Sequence, residues 1–474
     1  MRIALIHPSG SNWLPGKRDI TATANRMAPL GLLSIAAWLN KAGHQVAVYD
    51  GLGPGAPENN AAFAERILAG RPDLAGFSAT TSGFLDGVDL AQRLKENRPD
   101  IQTVFGGVHI SAVGGPLLAS YPAVDYLCLG EGEATLAELA GGSDPARIDG
   151  LGFRDGGKIV VNPPRKPLQD LDVLPFPVYE ALAGFPRRYH LPLFSYIRSP
   201  GATMVTSRGC PYRCSFCDRS VFGSDYRFNS AEYIYEHMRY LRRRFGVRHI
   251  NIYDDLFTVN RRRIEKLCRR LIDRSLGIHF NCAVRIGHAD EEILGMLKAA
   301  GCLMVSIGIE SGDERVLAEQ KTGVDPERVR RTVCRIQAKG LRVKGLFMMG
   351  LPHETVASIR KTSDFALSLG LDDMNMAKFT PFPGAPVWEQ IPSLGTFKCR
   401  WPLMNCLNFV FIPRAIDSKQ TLDRLYNWHV RRFYRSKQWR RKFLRRLWQH
   451  RSSLAHMAVH LPSFWSARNS FAKE

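Results

Sequence analysis

The sequence predicts an α/β protein built as two successive units, each with a parallel sheet, followed by a basic helical C-terminal tail. Apolar, β-branched runs alternate with amphipathic stretches through residues 1–140 and again from 200 to about 385. That alternation marks parallel sheets covered by helices, and the first unit reads as a doubly wound, Rossmann-like sheet. Charge separates the units as well. Residues 1–150 hold 11 Lys+Arg against 15 Asp+Glu, whereas residues 419–474 hold 14 against 2, in a chain of net charge +21. A chain of 474 residues has room for two or three domains. No apolar run approaches the ~20 residues that span a bilayer. The opening MRIALIHPSG reads as a strand and loop rather than a cleaved signal.

In the first unit, RIALIH (2–7), HQVAVYD (44–50), PDLAGFSAT (72–80), IQTVFGGVH (101–109) and VDYLCLGEGE (124–133) are predicted strands. Helices are predicted over 29–43, ended by Gly43, and over 86–99. Ligands in such sheets sit at the carboxyl ends of the strands near a switch point. Those ends carry Ser78, Thr80, Gly106, Gly107, His109, Gly130, Glu131 and Gly132. Residues 150–200 are predicted to connect the units: GLGFRDGGKIVVNP forms a hairpin on an Asp-Gly turn, and a Pro-rich stretch then runs extended along the surface.

The chemistry centres on TSRGCPYRCSFCDRS, which follows the apolar run ATMVTS and places Cys210, Cys214 and Cys217 within eight residues. A CxxxCxxC loop leaving a buried strand brings three thiolates to one soft metal centre. Structural zinc prefers a fourth ligand, so a zinc site would need a distant residue to complete it. A [4Fe–4S] cube on three cysteines keeps one iron open. The other seven cysteines are scattered and form no CxxC pair, as expected of reduced thiols in a cytoplasm.

The loop resembles the cluster loop of the radical S-adenosylmethionine (SAM) enzymes, with Phe216 at the aromatic position usual before the last cysteine. The resemblance implies a partial (β/α)6 barrel whose open iron chelates SAM and whose cluster splits it to a 5′-deoxyadenosyl radical. It further implies SAM contacts at five later points, in family order. These are Asp254 or Asp255 for the amino group, Arg285 for a carboxylate, Glu310 and Ser311 for ribose and methionine, Gly350 and Glu354 beside adenine, and the NMAKFTPFPGAP strand. Residues 1–140 resemble the cobalamin-binding domain found ahead of many such cores. The first loop, HPSGSNWLPGKRD, lacks the DxHxxG motif whose histidine ligates cobalt, and His109 is the substitute, as ligand or as hydrogen-bonding wall. A scaffold that binds nothing is the alternative. The expected organisation is 1–142 cobalamin-binding, 143–199 hairpin and linker, 200–390 radical SAM core and 391–474 extension.

The extension holds LDRLYNWHVRRFYRSKQWRRKFLRRLWQH (422–450), where residues 443, 444, 447 and 448 share a helical face opposite basic residues. Such a helix lies in a membrane interface, packs on its own core, or docks a partner or nucleic acid. The resulting expectation is a cytoplasmic cobalamin-dependent radical SAM enzyme, peripheral to the inner face of the membrane. It would methylate a hydrophobic, lipidic or natural-product small molecule with electrons from a ferredoxin or flavodoxin. Three alternatives stand beside it: a cyclase or rearrangement enzyme, an RNA-modifying enzyme, and a cobalamin or SAM sensor. The RNA-modifying tRNA methylthiotransferases carry three N-terminal cysteines, and this domain offers only Cys128.

Overall fold

The computed structural model describes residues 1–9, 25–288, 290–321 and 323–459; most of the first loop, residues 10–24, lies outside them. Five parallel strands open the chain: β1 (Arg2–His7), β2 (Gln45–Asp50), β3 (Leu74–Ser78), β4 (Gln102–Gly106) and β5 (Tyr126–Cys128). They lie in the order 2-1-3-4-5, so the winding reverses between β1 and β3. Period-2 alternation divides the sheet's two faces. Ala4 and Ile6 join Phe63, Leu90 and Leu94 on one side, while Ile3 and Leu5 join Leu32, Ala36 and Leu136 on the other.

The predicted strand over 101–109 ends early. Gly107 takes φ +102°, and a Cβ there would sit 2.9 Å from the Ala79 carbonyl oxygen. The chain turns at this point into the helix Val108–Val113, which carries His109. The hairpin β6 (Leu151–Asp155) and β7 (Lys158–Val161) continues the first sheet antiparallel, beyond β5. Its turn centres on Gly156–Gly157, one residue later than the Asp-Gly reading. The connection that follows is not a surface strap. It buries Leu171 and Tyr179, and the Tyr179 hydroxyl donates to the Thr203 carbonyl at 3.2 Å.

The second sheet holds six parallel strands in strict chain order: β8 (Gly201–Met204), β11 (His249–Ile252), β12 (His279–Val284), β13 (Cys302–Glu310), β14 (Arg342–Met349) and β15 (Asp373–Lys378). This is the curled sheet of a partial (β/α)6 barrel. Short strands β9 (Ser207–Arg208) and β10 (Arg227–Phe228) pair at the neck of the cysteine loop. The covering helices start on side-chain caps: Ser230, Asn260, Asp290, Asp325 and Thr355 each accept from a backbone N–H of the first turn. Apolar residues at helical spacing, such as Ile264, Leu267, Cys268 and Leu271, then face the sheet.

The extension closes the barrel. A hairpin of β16 (Gly395–Phe397) and β17 (Phe411–Pro413) carries Trp401 back to the first unit, against Phe84 and His109. Helix Lys419–Tyr434 then covers β15, which would otherwise be an open edge. Its Tyr426 and Tyr434 hydroxyls donate to the Met376 and Met374 carbonyls at 3.1 and 2.8 Å. Helices Lys437–Arg446 and Arg451–Val459 cross the amino ends of the strands, and the Phe194 N–H donates to Ser453 Oγ at 3.1 Å. The face expected from residues 443, 444, 447 and 448 is split. Phe443 stacks on Trp439 at 4.8 Å, whereas Leu444 and Trp448 point outward. The helix gives way to a 3-10 turn at Leu447, which rotates the residues beyond it.

The tail is therefore part of the fold. Leu422→Ala, at a fully buried site, is expected to cost roughly 2–5 kcal/mol, whereas Leu444→Ala on the surface should stay within about 0.5 kcal/mol; urea midpoints of the two variants check this.

Candidate active site

The cysteine loop is held from below. Asp254, buried at the end of β11, accepts from the Thr206 N–H and hydroxyl, each at 2.5 Å, and from the Ser207 N–H at 3.1 Å. The buried Arg263 guanidinium lies 3.6 Å from the same carboxylate and donates to the Thr206 and Phe257 carbonyls. Gly209 then makes the turn into the loop at φ +85°, where any Cβ would overlap the Asp225 carbonyl oxygen. The loop is also tied to the core at its far side. Ser215 N–H donates to the Gln320 carbonyl at 3.1 Å, and Val387 N–H donates to the Ser215 carbonyl at 3.0 Å. Phe216 packs into an apolar cluster with Val316, Leu351 and Phe379.

Cys210, Cys214 and Cys217 are partly buried in this loop. Burial first, then Asp255 and the two other thiols, pushes Cys217 up to about 12; burial, with Asp255 and Cys214, also raises Cys210. Three sulfurs this close suit a cationic centre that offsets their charge. Three thiols carried by one short loop, with no fourth ligand from it, fit a [4Fe–4S] cluster that keeps one iron open.

The structure separates the other predicted SAM contacts into two groups. Asp254 serves the protein, as described above. Ser311 is fully buried against Thr362 at 3.0 Å and accepts from the Asp313 N–H at 3.1 Å, so it braces a loop. Glu354 is also internal: its Oε2 accepts from the Gly350 and Leu351 N–H groups at 2.7 and 3.1 Å, and burial raises its carboxyl to about 8. In this structure these three side chains bond within the protein, to backbone N–H groups of their own loops and, for Asp254 and Ser311, to the side chains of Thr206, Arg263 and Thr362. The second group stays at the carboxyl ends of the strands. Asp255 is accessible beside the thiols, and burial and Asp254 raise its carboxyl. The Arg285 guanidinium lies 3.5 Å over the Tyr212 ring, and the Tyr212 hydroxyl meets His288 Nε2 at 2.8 Å. Glu310 sits at a β-bulge with φ +62°, paired with Lys321 at 3.0 Å. Tyr212, His288 and Lys321 went unnoticed in the sequence. The only signal was their spacing, two residues after Cys210, three after Arg285 and eleven after Glu310.

The first sheet opens at the carboxyl ends of β3, β4 and β5 into a cavity of about 250 Å³. Ser78, Gly106, Gly107, Gly130, Glu131 and Gly132 line it, with an apolar floor of Leu32, Ile35 and Leu136. Val221 and Phe222 of the cysteine loop form its opposite wall. Two predicted residues are elsewhere. Thr80 caps a local turn by accepting from the Gly83 N–H at 3.2 Å. His109 is turned by its helix into an aromatic nest, 4.8 Å from Phe84 and 4.5 Å from Trp401, and burial lowers it to about 4. It is not among the residues that line the cavity. Glu131 does more than line the site. It bonds Arg208 at 2.7 Å and Arg227 at 2.5 Å, while Glu133 takes the other arm of Arg208 at 2.5 Å. These buried pairs join the two units one residue before Gly209.

The pattern of the Radical SAM superfamily matches residues 204–366, and that of the B12 binding domain matches residues 17–140. The uncharacterized methyltransferase PH0819 of Pyrococcus horikoshii is 31% identical over 82% of this chain and 83% of its own length. The chain belongs to the cobalamin-binding radical SAM enzymes. The anaerobic magnesium-protoporphyrin IX monomethyl ester cyclase of Rubrivivax gelatinosus is 26% identical over 92% of this chain and 78% of its own. The radical SAM methyltransferase TsrM of Kitasatospora setae, solved with cobalamin and a [4Fe–4S] cluster, shares the fold. Its TM-score is 0.65 at 20% identity, covering 83% of this chain and 74% of that one.

Two outcomes test the braces of this radical SAM enzyme. Arg208→Ala leaves the buried Glu133 without its ion pair and is expected to cost roughly 3–5 kcal/mol in urea denaturation. Glu354, raised from an ordinary 4.5 to about 8, binds its proton more tightly when folded, so stability falls as pH climbs between those values. Glu354→Gln should flatten that part of the stability–pH curve.

Proposed function

We propose that this enzyme transfers a methyl group from SAM, by way of cobalamin, to an unactivated carbon of a hydrophobic small molecule. The observation that carries the proposal is the shared cavity: Val221 and Phe222, four and five residues after Cys217, face the glycine edge of the first sheet. A ligand of the first unit and a ligand of the cluster loop would therefore meet. A hollow of about 250 Å³ suits one arm of a large cofactor rather than a whole macrocycle. Glycines on its rim allow close backbone approach.

When bound, the cluster, SAM and cobalamin supply reductive cleavage of SAM, a 5′-deoxyadenosyl radical and a transferable methyl group. The chain's own work is placement and exclusion of water. Cys210, Cys214 and Cys217 would hold three irons. Asp255 would meet the SAM amino group, Arg285 its carboxylate, Glu310 the ribose, and the turn at Gly350 the adenine. Val205 and Tyr253, at the carboxyl ends of β8 and β11, leave surface open beside the loop, which favours an apolar substrate. Electrons would come from a ferredoxin or flavodoxin. A cyclase or rearrangement reading is supported by the similarity to the Rubrivivax cyclase over nearly the whole chain.

Protein reconstituted anaerobically with iron, sulfide and cobalamin, then given methyl-labelled SAM and lipid extract, is expected to release 5′-deoxyadenosine and place label in a product. A product without label sustains the cyclase reading instead. Replacing Cys210, Cys214 and Cys217 together by alanine should abolish cluster absorption and 5′-deoxyadenosine release. Asp255→Asn should raise KM for SAM about tenfold, equivalent to about 1.4 kcal/mol.

A further inference from the structure

At the amino ends of the barrel strands, opposite the cysteine loop, lies a groove of about 520 Å³. Five cations from four segments converge on it: Arg198 before β8, Lys298 at the end of helix Glu291–Ala299, Arg342 at the start of β14, and Arg446 and Arg451 from the tail. Among the described residues, no carboxylate lines it. Arg446 has Asp372 as an ion-pair partner behind the groove. The buried Arg342 is held by neutral groups, His450 at 3.2 Å and Gln449.

Beside the groove stand two apolar side chains of another kind. Trp448 is 79% and Leu444 65% exposed, the highest values among the large apolar residues described. They lie four residues apart in the tail, and the Arg451 guanidinium reaches over the Trp448 ring at 5.8 Å. Exposed Arg441 and Arg445 flank them. Phe433, Tyr434, Trp439 and Phe443 of the tail are packed inward, whereas Trp428 is partly exposed on the helix that covers β15.

We propose that this end of the barrel docks on an anionic bilayer surface, the cations meeting lipid phosphates while Trp448 and Leu444 enter the interface. A soluble phosphate would use the cations and leave Trp448 and Leu444 idle. A bilayer uses both, because interfacial tryptophan and basic residues each add to adsorption. Charge alone is screened within about 10 Å at 0.1 M salt, and two apolar side chains alone bind weakly. The dock leaves the carboxyl ends of the strands, and so the cysteine loop, facing away from the membrane. It is thus a site of recruitment, separate from the catalytic mouth and independent of which reaction occurs there.

The test is sedimentation of the full chain with vesicles of phosphatidylcholine, with or without phosphatidylglycerol, at two salt concentrations. Binding is expected only to the anionic vesicles, weakening with salt. Arg198→Glu with Arg451→Glu, and separately Leu444→Ser with Trp448→Ser, should each reduce it at least about tenfold. The variants should keep the wild-type melting temperature and 5′-deoxyadenosine release. Equal binding to neutral vesicles, or unchanged binding in both pairs of variants, overturns the proposal. So does saturable binding of inorganic pyrophosphate or RNA, lost in the arginine pair, without any vesicle binding.

Discussion

Arg208 stands between Glu131 and Glu133 with about a tenth of its side chain exposed, and Arg227 completes the bridge on Glu131. This contact ties the first unit to the neck of the cysteine loop. The two arginines belong to β9 and β10, the strands that pinch the neck of the cysteine loop; the two glutamates flank the loop after β5. Buried ion pairs add little net stability, because desolvation offsets much of their attraction. They are exacting about geometry, since a buried charge that misses its partner is costly. The bridge therefore sets where the loop carrying the three cysteines sits against the glycine edge of the first sheet.

A second constraint operates on the other side of the loop. Asp254 and Arg263 are buried together beneath Thr206, so the chain enters the loop from a fixed direction. Asp255, one residue on, is left to face the thiols. Adjacent residues at a strand end point to opposite sides, and that alternation allots one acid to structure and its neighbour to the site. Ser311 and Glu354 show the same economy: polar side chains at the carboxyl ends of β13 and β14 satisfy backbone groups of their own loops.

The tail illustrates how tertiary context sorts a uniform-looking stretch. Its arginines and aromatics suit several roles when read as one helix. In the fold the segment breaks into helices around Ser436 and Leu447, and each piece turns a different face to the barrel. Trp439, donating to the Asp372 carbonyl at 3.2 Å, and Phe433 seal the edge of β15. Among the described residues, Leu444 and Trp448 stay exposed beside the basic groove.

The sequence by itself determined the α/β alternation and the cysteine loop. These rest on local rules: periodicity of two or 3.6, and thiolates spaced within one loop. It also placed the correct strand ends around the first cavity. Only the tertiary structure decided which of the polar residues there face a ligand. His109 and Thr80 sit within a few residues of the cavity glycines yet turn away, because Gly107 starts a helix and Thr80 caps a turn. Likewise the pairing of Glu131 with Arg208, 77 residues apart, follows from how two sheets meet, which no local pattern encodes. Side-chain direction at a strand end depends on the neighbours that compete for it, and those neighbours come from distant parts of the chain.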